Sequence, residues 1–182
     1  MTDVLEAPAL APAQPRLRGW APLAVIGADI AVGGGFCLWT ADHVHPTPVL
    51  HDAALFVHLA SLVVGFGAVL TVDWVALLWV LRRRRLTDVL TTASNVHVPI
   101  WAGYAGLVLS GVLLEPALDS GITQVKLALV LLIGWNGLVA MWLHHLLQGE
   151  VRRVLIAVSA VSATVSQGGW WGAMVIGFAN GR

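Results

Sequence analysis

The sequence predicts an all-α fold, a polytopic bundle of five membrane-spanning helices, and three observations carry that expectation. Five apolar runs fill almost all of the 182-residue chain after Arg18, each at or above the roughly 20 residues a helix needs to cross an about 30 Å hydrocarbon core. Hydrophobic residues make up 58% of the chain and charged residues 11%, with a mean hydropathy of +0.81. A soluble domain carries about a quarter charged residues. The formal net charge is zero, yet eight of the ten Lys and Arg residues (Arg16, Arg18, Arg82, Arg83, Arg84, Arg85, Arg152, Arg153) fall in three clusters separated by pairs of runs. Basic residues gather on the cytoplasmic side, so the N-terminus is expected in the cytoplasm and the C-terminus outside. The expected location is a bacterial inner membrane.

Residues 1–18 hold Pro8, Pro12 and Pro15 among alanines, a composition that builds no core and predicts a disordered cytoplasmic tail. Residues 19–182 form one membrane domain. The first run, about 20–40, follows a basic flank as a signal peptide does, but its length predicts an uncleaved helix. A loop from Asp42 to Asp52 contains three histidines and two prolines and no Lys or Arg, as expected outside. The second span, about 53–81, exceeds the bilayer requirement and is expected to tilt or project. It stops at the four arginines, a basic stop that sets topology and makes nucleic acid a poor partner. The remaining spans are expected at about 92–114, 122–147 and 154–178.

Trp20, Trp39, Trp79 and Trp142 fall near span ends, where an indole keeps one edge wet. Gly33 to Gly35, Gly103 and Gly106, and Gly168 and Gly169 are expected to let helices approach closely in lipid. Cys37 is the chain's single cysteine, which excludes an intrachain disulfide. No nucleophile stands at helical spacing from a base, so nothing points to an enzyme.

Ionisable groups within spans are costly and tend to be functional. At about 100° per residue, Asp73 returns to within about 60° of the direction of His58, with Ser61 and Gly65 on the same side. On the third span His97, Trp101, Tyr104 and Gly111 share a face, and Pro99 is expected to kink it. Lys126 and His144 lie eighteen residues apart, five whole turns. By depth, His58 and Lys126 form an outer tier. His97 faces His144 and His145 in an inner tier, and Asp29 and Asp73 lie nearer the middle.

Three chemistries suit this pattern. Imidazoles can ligate a b-type haem, with His58, Lys126, His97 and His144 as the cofactor-binding set. Copper suits imidazole as well, with His43, His45 and His51 as a capture site outside His58, although the chain has no Met-x-x-Met or Cys-x-x-Cys. Asp29 and Asp73 with His97 suit a proton or cation relay.

His58-Leu59, Gly65-Phe66-Gly67-Ala68 followed by Asp73, Ile100-Trp101-Ala102-Gly103 with Ser110-Gly111, Lys126-Leu127 and Asn136-Gly137-Leu138 together resemble the four-span core of copper-resistance-D-like membrane proteins. The likeness covers roughly half the chain. The same His, Ser-Gly and Lys-Leu pattern is similar to the haem-associated membrane protoporphyrinogen oxidase of bacteria. That second resemblance implies functional roles for His58 and Lys126, but the chain lacks the Pro-Arg pair which that family carries near the position of Asp73. The resemblance implies a membrane protein that handles copper or haem. The rival expectations are a non-catalytic subunit, packing against a membrane-protein partner or a second copy through faces such as Gly168 to Trp171, and an electron carrier with haem between His97 and His144.

Overall fold

The structure, a computed structural model, describes residues 21–149 and 151–180. The expected tail at 1–18 and Trp20 lie outside the described residues. Five α-helices and no strand make up the described chain: α1 (Ala21–His43), α2 (Pro48–Val80), α3 (Leu86–Val112), α4 (Gly121–Gly149) and α5 (Arg153–Asn180). Two of them, α2 and α4, are long and apolar enough to cross a membrane.

The helices match the five apolar runs, with two corrected boundaries. The segment Asp42 to Asp52 is not one loop, because α1 continues to His43 and α2 begins at Pro48. Thr47 is the cap of α2: its Oγ1 accepts from the Leu50 N–H at 3.4 Å, and Pro48 follows where a missing N–H costs nothing. The start of α3 also lies earlier than expected, at Leu86. There the Asp88 carboxylate accepts the Arg85 backbone N–H at 3.0 Å, so the polar first turns belong to the helix. Helical structure in α3 runs unbroken through Pro99.

At 33 residues, α2 is about 50 Å long. It ends in a Schellman turn: Arg82 N–H donates to Trp79 O at 2.9 Å and Arg83 N–H to Leu78 O at 2.8 Å. That turn places Arg82 in the left-handed region, with φ 58°, where glycine is the usual occupant.

Packing follows two antiparallel hairpins, α2 with α3 and α4 with α5, with α1 lying against α4 and α3. The first hairpin closes where glycines meet. A Cβ placed on Gly103 would collide with Gly65 Cα and N, and one on Gly106 with Ser61 Oγ. Backbones at that distance gain dispersion contacts that side chains would block. The expected role of Gly103 and Gly106 is thus met, and Gly169 seats Ile133. At Gly33, Gly35 and Gly168 nothing among the described residues lies within 4 Å of an added Cβ, so those positions carry no such packing there.

Large side chains join the hairpins. Phe66, Val69, Ile133 and Trp170 form a buried cluster, in which Phe66 stacks on Trp170 at 5.5 Å and meets Trp171 edge-on at 5.2 Å. Trp135 sits against Gly27, Tyr104 against Gly134 and Trp101 against Gly137. The aromatic residues of one helix therefore occupy the notches that glycines leave on another.

Candidate functional site

The end of the bundle opposite the arginines brings α2, α3, α4 and α5 together around His58. Ser110, only 4% exposed, has two hydrogen bonds that define the imidazole. Its hydroxyl lies 2.5 Å from Gly106 O, and its oxygen lies 3.0 Å from His58 Nδ1. A serine has one proton to give, and an i−4 carbonyl can only accept it. Ser110 therefore donates to Gly106 and accepts from His58, which assigns the proton of His58 to Nδ1. The Leu107 carbonyl also lies within reach of the ring. Nε2 is left as a lone pair to which no side chain of the described residues is hydrogen-bonded. A neutral imidazole with one nitrogen oriented by a neighbour and the other open is the state that ligates metals.

Lys126 belongs to the same tier, close enough for its charge to act on His58. Its Nζ lies 3.6 Å from where a Cβ of Gly177 would stand, so the ammonium lies along α5 at a glycine. Gly111 lies beside the imidazole, with a Cβ there 3.5 Å from Cε1. One imidazole, one ammonium and two glycines from four helices thus share one end of the bundle.

Other expected groups are placed differently. His43 Nδ1 lies 2.8 Å from Trp39 O and its ring stacks on Trp39 at 4.5 Å. His45 meets Glu115 at 3.3 Å, tying the α1–α2 linker to the α3–α4 turn, and His51 lies 4.0 Å from Asp52. Among the described residues no three His, Cys, Asp or Glu side chains are grouped as metal ligands. His43, His45 and His51 are therefore not gathered into a single three-histidine site.

In the inner tier, His144 Nε2 is 3.0 Å from Ser94 Oγ and 2.9 Å from Gln148 Nε2. The His97 ring meets Trp101 edge-on at 6.4 Å, and His145 lies 6.0 Å from His144. His144 Nε2 is thus engaged by α3 and by its own helix.

Asp73 is bound by a residue the sequence did not single out. Gln167 Nε2 donates to Asp73 Oδ2, and Trp171 Nε1 donates to Gln167 Oε1 at 2.9 Å. An indole N–H can only donate, so it sets the amide orientation and aims the amide N–H at the carboxylate. Asn136 and Ser162 exchange two hydrogen bonds between α4 and α5, at 2.9 and 3.0 Å. Asp29 lies on α1, and its side chain is outside the described residues.

No family model, curated protein or solved structure matches this chain.

Proposed function

We propose that this chain is a five-span protein of the bacterial inner membrane that holds a metal centre at His58, b-type haem ahead of copper. The outward surface supports the membrane placement. Phe56, Val63, Val98, Val161 and Val175 are each 61 to 74% exposed, an apolar cover spread over α2, α3 and α5 that water does not tolerate and lipid does. Both described basic turns, Arg82 to Arg85 and Arg152 with Arg153, lie at the same end of the bundle, in keeping with a cytoplasmic side.

The observation that carries the metal reading is the Ser110 hydrogen bond, which leaves His58 Nε2 as an open donor. Lys126 favours haem over a bare copper ion. An ammonium repels a cation but pairs with a carboxylate of the propionate kind. Bound haem would supply a one-electron centre there. The chain's own contributions would be the His58 imidazole that holds it, the orienting serine and the lysine charge.

The test is titration of cofactor-free detergent-purified protein with haem and, separately, with Cu(I). Saturable one-to-one haem binding lost in His58→Ala supports the reading. Haem binding indifferent to His58, or binding of neither group together with co-purification of a stable membrane partner, contradicts it and favours the packing subunit.

A further inference from the structure

The four consecutive arginines between α2 and α3 have no ion-pair partner among the described residues. They line an open depression of about 480 Å³ together with Asp88, whose Oδ2 already accepts the Arg85 N–H. Four guanidinium groups against one engaged carboxylate leave an excess of positive charge. The Schellman turn holds the start of this segment in place, since both of its hydrogen bonds are made.

A second cavity of about 450 Å³ begins where the arginines end, running along α3 from Leu86 and Thr87 past Thr91 to Ser94. Leu147 and Gln148 of α4 form its other wall. Thr87, Thr91 and Ser94 follow at i, i+4 and i+7, so their hydroxyls form a row on one face of α3. Thr92 spends its hydroxyl on Asp88 O at 2.7 Å, whereas those of Thr87 and Thr91 have no partner among the described residues. A cationic rim, a row of hydroxyl donors and an apolar wall thus follow one another from the end of the bundle inward.

We infer that the α2–α3 turn and the α3–α4 groove together bind one anionic phospholipid, the phosphate at Arg82 to Arg85 and the ester carbonyls along Thr87 and Thr91. The order of chemistries is that of such a lipid read from headgroup to chain. Guanidinium groups suit phosphate oxygens through paired N–H donors, hydroxyls suit ester carbonyls, and the leucines suit the acyl chains. This inference rests on the membrane placement and is independent of the centre at His58.

The experiment is thermal unfolding of the full chain in nanodiscs, comparing phosphatidylcholine alone with phosphatidylcholine containing phosphatidylglycerol, and with inorganic phosphate added to the former. Native mass spectrometry on the detergent-purified protein accompanies it. The expected result is one retained anionic lipid and a Tm raised by several degrees by phosphatidylglycerol but not by phosphate. Arg83→Gln/Arg84→Gln and, separately, Thr91→Val should each reduce that rise at least twofold, while Arg152→Gln/Arg153→Gln leaves it intact. Thr91→Val changes no charge, so its effect distinguishes a site from a basic surface. Equal losses from both arginine pairs with no effect at Thr91 would overturn the site in favour of diffuse charge attraction. An equal rise with inorganic phosphate would overturn the lipid in favour of a free anion. Release of the chain from membranes by alkaline carbonate would instead overturn the membrane placement beneath both proposals.

Discussion

His58 and Ser110 meet 3.0 Å apart across the α2–α3 interface, and the serine's own proton is committed to Gly106 O. This pair decides which imidazole nitrogen is open. Ser110→Ala removes the acceptor without adding bulk, so the fold should survive while the ring loses its orientation. Loss of such an orienting partner typically weakens metal affinity about 10- to 100-fold. A haem titration of Ser110→Ala should show that loss, with far-UV circular dichroism unchanged; wild-type affinity would show the serine to be idle.

Gly103→Ala should loosen the first hairpin. The added methyl would collide with the backbone of Gly65, and overpacking of this kind costs about 1–3 kcal/mol. Gly35→Ala, where nothing among the described residues lies within 4 Å of an added Cβ, is the matched control and should leave stability unchanged or slightly raised. Unfolding of both variants in the same detergent gives the comparison.

Arg82→Gly should stabilise the chain. A side chain at φ 58° carries a left-handed penalty of about 1–2 kcal/mol, which glycine avoids at some entropic cost. A net gain of about 0.5–1 kcal/mol is expected, read as a higher Tm, and Arg83 to Arg85 retain the basic stop. A lower Tm would mean that the Arg82 side chain contributes more than its backbone costs.

Asp73 and Gln167 should be energetically coupled. Gln167→Leu leaves the carboxylate without its amide donor and Asp73→Leu leaves the amide without its acceptor, each costing about 1–3 kcal/mol. A double-mutant cycle should return a coupling of about 0.5–3 kcal/mol. Strict additivity would show that the hydrogen bond contributes nothing to holding α2 against α5.

The helices were legible because apolar runs of more than about 20 residues are too long for strands and suit helices, and errors fell where polar chemistry lies inside a helix. Thr47-Pro48 is a helix-start signal, but the histidines and prolines around it read as loop. Thr87, Asp88 and Thr91 precede the expected start of the third span at about 92, yet they form the first turns of α3. At the site, face and depth arithmetic placed His58 and Lys126 in one tier and Gly111 on the polar face of α3, and the structure brings them together. Gln167 escaped because one amide in an apolar run has no spacing rule linking it to an aspartate 94 positions away. His43, His45 and His51 stand close in sequence, and in the structure each has a different neighbour: Trp39, Glu115 and Asp52.

The central claim is that His58 holds a metal centre. The most direct measurement is an oxidised and dithionite-reduced absorption spectrum of detergent-purified protein, with iron and copper determined on the same sample, for wild type, His58→Ala and His97→Ala. The account expects a Soret band with a reducible α-band and stoichiometric iron in wild type and His97→Ala, both lost in His58→Ala. A spectrum and metal content unchanged by His58→Ala would contradict it.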